Sequence, residues 1–252
     1  MRKLYVLIVL LLCCYLHTAV YGQVDSSSYR QIFDGKSLNG WEGDPVYWRV
    51  ENGSLVGEVT PATLLQRNTF IIWRGGIVKD FELKVEYRIT KNGNSGINYR
   101  SEELKGMSYV LKGYQGDIDG FDNKPYTGMN YEERGRTTIA HRGQVVKLPP
   151  VDVLDSLNKH IKDNAWLPAI VTGSLGTADS LKAVIKDPGA WNEYTIIAKG
   201  NHLKHFINGV LVCEVFDEDP VNAKLSGLIG VQVHVGPPMK VEFRNFRLKQ
   251  SE

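Results

Sequence analysis

The chain is expected to fold as an all-β sandwich of the jelly-roll kind, two antiparallel sheets with one short inserted helix. Three features predict it. The segment Phe81-Glu82-Leu83-Lys84-Val85-Glu86-Tyr87-Arg88-Ile89 alternates apolar and charged residues without a break, the pattern of an antiparallel strand with one wet face. Apolar runs of strand length recur along the chain, separated by Glu51-Asn52-Gly53, Lys91-Asn92-Gly93-Asn94 and Asn208-Gly209, and Asn-Gly pairs favour the left-handed turns of hairpins. Helical spacing shows in one stretch alone, Asp152 to Lys162.

Taken in order, Tyr47 to Val50 and Ser54 to Val59 flank the first Asn-Gly turn, and Thr69 to Ile72 is a short apolar run. After the 81–89 strand come Gly96 to Arg100 and Ser108 to Gln115. The helix is predicted from Val153, Leu154, Leu157 and Ile161 at three-to-four spacing, with Asp152 as N-cap. Glu193 to Ala198 follows, then His202 to Ile207 and Val210 to Val215 around the Asn208-Gly209 turn, then Gly227 to Val235 and Lys240 to Leu248. No repeat or low-complexity linker divides residues 23–252, so one domain is expected, with 149–190 as an inserted excursion carrying the helix and Trp166-Leu167-Pro168.

Composition is that of a globular protein: 42% of the 252 residues are hydrophobic and 23% charged, which excludes disordered and coiled-coil classes. The N-terminus carries Arg2-Lys3, an apolar run from Leu4 to Leu16, and small residues Val20 and Gly22 before Gln23. That is the layout of a secretory signal peptide over residues 1–22, too short to span a membrane, and it predicts export to the periplasm or the extracellular space. Lipidation at Cys13 or Cys14 is the lesser expectation, because Leu12 or Cys13 would stand where a small residue is needed. The leader holds two of the 30 basic residues, so the mature chain balances its 28 acidic ones, and neither nucleic acid nor an anionic membrane is expected as a partner. Past the leader the sequence holds one cysteine, Cys213, in an apolar strand context that predicts a buried free thiol.

Side chains two apart on a strand share a face. Asn98 therefore pairs with Arg100, Gln232 with His234, and Gln115 with Asp117 and Asp119. Idle faces are rich in Lys, Glu, Ser and Thr, whereas these strands offer Asn, Arg, Gln, Asp and His, the fixed donors and acceptors that sugar hydroxyls require. The 117–123 segment lacks the Gly and Glu positions of an EF-hand loop, although a different metal site using Asp117 or Asp119 stays open. No HExxH, Gly-x-Ser-x-Gly, Walker or dinucleotide motif occurs, and no nucleotide cofactor is expected. His202 and His205 should point to opposite faces of one strand.

The sequence resembles the exported 3-keto-disaccharide hydrolase family, also described as 3-keto-glucoside 1,2-lyases and 3-keto-2-hydroxy-glucal hydratases. The resemblance is carried by Ile32-Phe33-Asp34-Gly35-Lys36-Ser37-Leu38-Asn39-Gly40-Trp41, Trp48-Arg49-Val50-Glu51-Asn52-Gly53, Asn94-Ser95-Gly96-Ile97-Asn98-Tyr99-Arg100 and Gly113-Tyr114-Gln115-Gly116-Asp117-Ile118. It continues through Thr127-Gly128-Met129-Asn130-Tyr131, Trp191-Asn192-Glu193-Tyr194, Gly230-Val231-Gln232-Val233-His234 and Val241-Glu242-Phe243-Arg244-Asn245-Phe246, in order over nearly all of 31–248. Two departures stand out: Gln115 occupies a position where the family often has Glu, and the 149–190 excursion is long. The resemblance implies a concanavalin A-like fold and chemistry on a sugar oxidised at C3. The ketone acidifies the C2 proton, so a base removes it, the C1 substituent leaves by β-elimination, and water adds to the unsaturated sugar. Such a site needs a base, a donor or divalent metal ion at the enediolate oxygen, and an acid at the leaving group.

Shared faces and motif positions nominate His234 or Asp117 as base and Arg100 and Gln232 as oxygen stabilisers. Gln115, Asp119, Tyr131, Arg136 and His205 are candidate substrate or metal contacts. Two other readings stand beside this one: a non-catalytic carbohydrate-binding module of the same fold, and an ordinary glycosidase using two carboxyls such as Asp117 and Glu132.

Overall fold

A computed structural model of the protein describes residues 28–151 and 164–251. The expected signal peptide and the whole of the expected 152–162 helix lie outside the described residues. The described chain forms two packed sheets. The larger runs, in spatial order, β12 (Ile170–Ser174), β11 (Gln144–Leu148), β15 (Val210–Asp217), β14 (His202–Ile207), β13 (Asn192–Lys199), β6 (Phe81–Ile89), β17 (Met239–Gln250), β4 (Ser54–Val59) and β3 (Trp48–Glu51), with β1 (Arg30–Gln31) also on β17. The smaller runs β10 (Thr137–Ala140), β9 (Asn130–Glu133), β8 (Leu111–Asp119), β7 (Asn94–Glu103), β16 (Gly227–Val233), β5 (Thr69–Val78) and β2 (Trp41–Glu42). The jelly-roll expectation holds, with one difference in pairing: β11 lies parallel to β15. Among the described residues no helix is long and apolar enough to cross a membrane.

Alternation builds the core. β6 buries every odd residue and leaves every even one half-buried, so Leu83, Val85 and Tyr87 meet Ile97, Tyr99 and Val231 of the facing sheet in one cluster. In β17 the phase changes midway: Asn245 adopts φ 54°, a bulge shifts the register after Arg244, and burial passes from Val241 and Phe243 to Phe246 and Leu248. Asn52-Gly53 and Asn208-Gly209 take positive φ at both positions, closing the hairpins β3–β4 and β14–β15. Of the 149–190 segment, residues 170–174 extend the larger sheet at its edge, and α1 (Ala178–Lys182) is a short helix capped by Thr177 that the sequence pattern did not announce. Cys213 is a buried free thiol, its pKa pushed up to about 12 by burial.

Two polar clusters lie inside the sandwich, and both correct the sequence expectation. Arg136, 1% exposed, is not a cleft residue. Its guanidinium pairs with Glu132 and forks onto Asp217, Nη1–Oδ1 3.0 Å and Nη2–Oδ2 2.6 Å, while the Tyr114 hydroxyl donates to the same Asp217 carboxylate. His205 is also interior, because inward and outward positions alternate along β14 and its neighbour His202 takes the outer face against Glu214. The Met129 carbonyl, 3.2 Å from Nδ1, can only accept, so Nδ1 carries the proton and Nε2 accepts from the Tyr99 hydroxyl at 3.0 Å. Burial lowers the His205 pKa to about 4.

Above pH 6.5 His205 is neutral folded or unfolded; between 6.5 and 4 the unfolded chain takes up a proton that the folded one refuses, and stability is lost as pH falls. This contribution should amount to about 3 kcal/mol between pH 7 and pH 4. Urea unfolding of the wild type and His205→Gln at both pH values should show the variant losing less on acidification by about that amount; equal losses would contradict the assignment. Removing the guanidinium of Arg136 by Arg136→Met should cost about 3–5 kcal/mol in the same measurement, since Glu132 and Asp217 are left buried and unpaired.

Candidate active site

The outer face of the smaller sheet is polar where β16, β7, β8 and β9 lie side by side. Register sets Gln115 of β8 opposite Asn98 of β7 and Tyr131 of β9, and Asp117 opposite Gly96. Gly96 is required there by space rather than by backbone angle: a Cβ at this position would lie 2.4 Å from Cδ of Gln115. Its bare backbone lets Gln115 lie across β7 toward β16, where Gln115 Oε1 accepts from Gln232 Nε2 at 3.1 Å. Gln115 Nε2 donates to Asp117 Oδ1 at 2.7 Å, and Gln232 Nε2 also reaches Glu133 Oε2 at 3.2 Å. Two amides thus run between two carboxyls.

Above this bridge lies a cleft of about 310 Å³, lined by Gln115, Asp117, Tyr131, Glu133, Asn68 and His234 among others. Burial pushes the Asp117 carboxyl well above its ordinary value, reinforced by the charges of Glu133 and Asp119 and opposed by the Gln115 bond. Burial also raises Glu133, against the Arg134 charge and the donors Asn68 and Gln232. The Tyr131 phenol is raised by burial and by both carboxyls, so it keeps its proton. His234 is shifted the other way: burial lowers it, and its Nδ1 donates to the Val235 carbonyl, leaving Nε2 with an open lone pair. The cleft therefore offers a neutral imidazole acceptor, two carboxyls biased toward the acid form and a phenol donor.

Of the residues the sequence nominated, Asp117, Gln115, Tyr131 and His234 line the cleft, and Gln232 lies beneath it through Gln115. Arg100 does not share it. A bulge follows Tyr99, Arg100 takes φ 46°, and its guanidinium turns to the Lys79 and Gly200 carbonyls and to Asp80. Asp119 is a loop anchor, not a lining residue: its carboxylate accepts from the backbone N–H groups of Phe121, Tyr126 and Thr127 at 3.1, 2.7 and 2.6 Å. Arg136 and His205 are interior, as described. Glu132 faces Arg136, so the two-carboxyl pairing of Asp117 belongs to Glu133. The sequence reading missed Glu133, although it stands two residues beyond Tyr131 and period-two alternation would have placed it. Asn68, Asn94, Tyr126, Met129, Thr138 and Asn164 come from five further segments and carry no local signal. Among the described residues no group of three or more His, Cys, Asp or Glu side chains is placed to hold a metal ion. Asp117 is bound to Gln115, and Glu133 faces the amides of Asn68 and Gln232.

The model of the 3-keto-alpha-glucoside-1,2-lyase-like domain matches residues 28–249. The chain belongs to this family. It is 37% identical to a 3-keto-disaccharide hydrolase of Bacteroides thetaiotaomicron over 95 residues, 32% of this chain and 30% of that protein. The match thus spans under a third of the relative's length. A solved structure described as a candidate glycosyl hydrolase from Parabacteroides distasonis superposes with a TM-score of 0.58 at 20% identity, covering 89% of this chain and 95% of that one. The carbohydrate-binding module CBM66 of Bacillus subtilis superposes with a TM-score of 0.51 at 14% identity, over 84% and 96%. At these identities the two structures establish the shared sandwich fold and no more.

The tightness at Gly96 is testable. Gly96→Ala should destabilise by about 1–3 kcal/mol by forcing Gln115 off its path. The double variant Gly96→Ala/Gln115→Ala should recover most of that loss in thermal unfolding, because the side chain that clashes is gone; no recovery would place the strain elsewhere.

Proposed function

We propose that this protein cleaves the glycosidic bond of 3-keto-glycosides by removing the C2 proton and expelling the C1 substituent, with water then adding to the unsaturated sugar. The observation that carries the reading is the meeting, in one small cleft, of a neutral imidazole with an open Nε2 and two carboxyls held toward their acid forms by burial. A binding platform for an unreacting sugar needs hydrogen-bonding groups and stacking rings but no such division of proton affinities. Family membership and the partial match to a 3-keto-disaccharide hydrolase support the same substrate class. Export through the N-terminal leader belongs to the proposal as well.

His234 Nε2 takes the proton from C2, and the electron pair of that C–H bond forms an enolate with the C3 carbonyl. The Tyr131 phenol, kept protonated, donates to the developing C3 oxyanion. The enolate collapses to a C1–C2 double bond as the C1–O bond breaks, and Asp117 gives its proton to the leaving oxygen. Asp117, ionised by that transfer, then takes a proton from water as the water oxygen adds to C1, while His234 returns its proton to C2, so both groups end as they began and Glu133 keeps its proton beside them. The net result is hydrolysis without the oxocarbenium route. Gln115 and Gln232 act through the carboxyls, fixing their orientation.

Release of alcohol from a 3-keto-glucoside, and none from the unoxidised parent glucoside, is the expected result of a direct turnover assay; equal release from both would replace this mechanism with ordinary glycoside hydrolysis. His234→Ala should lower kcat by about 10²–10⁴-fold while the protein stays folded. The pH profile should be bell-shaped. Its acid limb, from protonation of His234, should fall below pH 6.5, and its alkaline limb, from ionisation of Asp117, should disappear in Asp117→Asn.

A further inference from the structure

A second cavity, of about 150 Å³, opens beside the cleft and shares Asn94 and His234 with it. Beyond those two residues its side-chain wall is chiefly apolar: Phe121, Val235, Pro237 and Met239. The wall is firmly held. The Phe121 backbone N–H donates to Asp119 Oδ1 and its ring stands edge-on to Tyr126, centroids 6.0 Å apart, while the Val235 N–H donates to Asn68 Oδ1 at 2.9 Å. Asp119 thereby fixes a wall of both cavities, since Tyr126 and Phe121 hang from the same carboxylate.

We propose that this smaller cavity receives the leaving group, and that the leaving group it favours is an apolar ring, an aryl aglycone, in preference to a second sugar. The proposal rests on the elimination reading above. C1 and C2 are bonded, so the substituent that leaves C1 must lie beside the group that takes the C2 proton, and His234 borders both cavities. With the oxidised sugar in the polar cleft, the aglycone crosses the seam at His234 and meets Phe121, Val235, Pro237 and Met239. A sugar there would press its hydroxyls against these side chains with the amides of Asn92 and Asn94 as the side-chain replacements for water, and unreplaced hydrogen bonds disfavour it. An aromatic ring gives up no hydrogen bonds on entry, and an apolar cavity of about 150 Å³ is large enough for benzene.

The test compares 4-nitrophenyl 3-keto-glucoside with a 3-keto-disaccharide of the same anomeric configuration, using the mature chain and the variants Phe121→Ser and Val235→Asn. An aryl group also leaves more readily by its own chemistry, so the informative quantity is the change in the aryl-to-disaccharide ratio of kcat/KM on mutation. That ratio should fall about tenfold or more in both variants. Competitive inhibition by 4-nitrophenol, which is indifferent to leaving-group reactivity, should weaken in parallel. Turnover with a ratio and an inhibition constant unchanged in both variants would overturn the subsite and leave the elimination reading standing. No turnover of either keto substrate by the wild type would overturn both.

Discussion

The guanidinium of Arg136, gripped inside the sandwich by Glu132 and Asp217, is the interaction on which the cleft depends. It joins β9 to the end of β15 in the opposite sheet, and the Tyr114 hydroxyl ties β8 to the same carboxylate. Because side chains alternate along a strand, turning Glu132 inward turns Tyr131 and Glu133 outward, and turning Tyr114 inward does the same for Gln115 and Asp117. A slip of one residue in either strand would bury the cleft groups and expose the ion cluster. Buried ion pairs contribute little net stability over apolar replacements, but one missing partner is severely destabilising, which makes this cluster a strong selector of register.

The cleft uses the same economy of partners on its own side. Two carboxyls meeting in a buried place would repel each other if both were ionised; burial raises both, and the charge of Glu133 raises Asp117 further. The Gln115–Gln232 bridge holds them apart in hydrogen bonding while linking them in position, and it crosses β7 only because Gly96 has no side chain. His234 stands outside this pairing. Its Nδ1 proton is committed to a backbone carbonyl, so Nε2 is left as the acceptor. Acid and base are therefore separated by environment rather than by residue type alone, the arrangement expected where one site must both remove and deliver protons near neutrality.

The loops finish what the strands begin. The 120–127 loop would be an ordinary strand exit but for Asp119, whose carboxylate collects three backbone N–H groups and so presents Tyr126 to one cavity and Phe121 to the other. The segment beyond residue 164 adds Asn164 to the cleft and an edge strand to the larger sheet, so the long excursion contributes to the site as well as to the scaffold.

By itself the sequence determined the class of fold, the place of most strands and hairpin turns, and the outward pairing of Gln115 with Asp117. Period-two alternation and Asn-Gly geometry are local properties, and neighbouring residues suffice to express them. Its family motifs likewise lie in continuous stretches. The tertiary structure decided the rest, for two physical reasons. A bulge changes which face a side chain takes, and whether Arg100 continues the alternation or adopts φ 46° is settled by how β7 pairs with its neighbours, not by the residues beside it. A charged or ring side chain goes inward only if a distant partner is waiting, and the partners of Arg136 and His205 come from 81 and 106 residues away, Asp217 and Tyr99. Polar residues that look like a binding face in sequence were thus divided between core and cleft by contacts that only the folded chain creates.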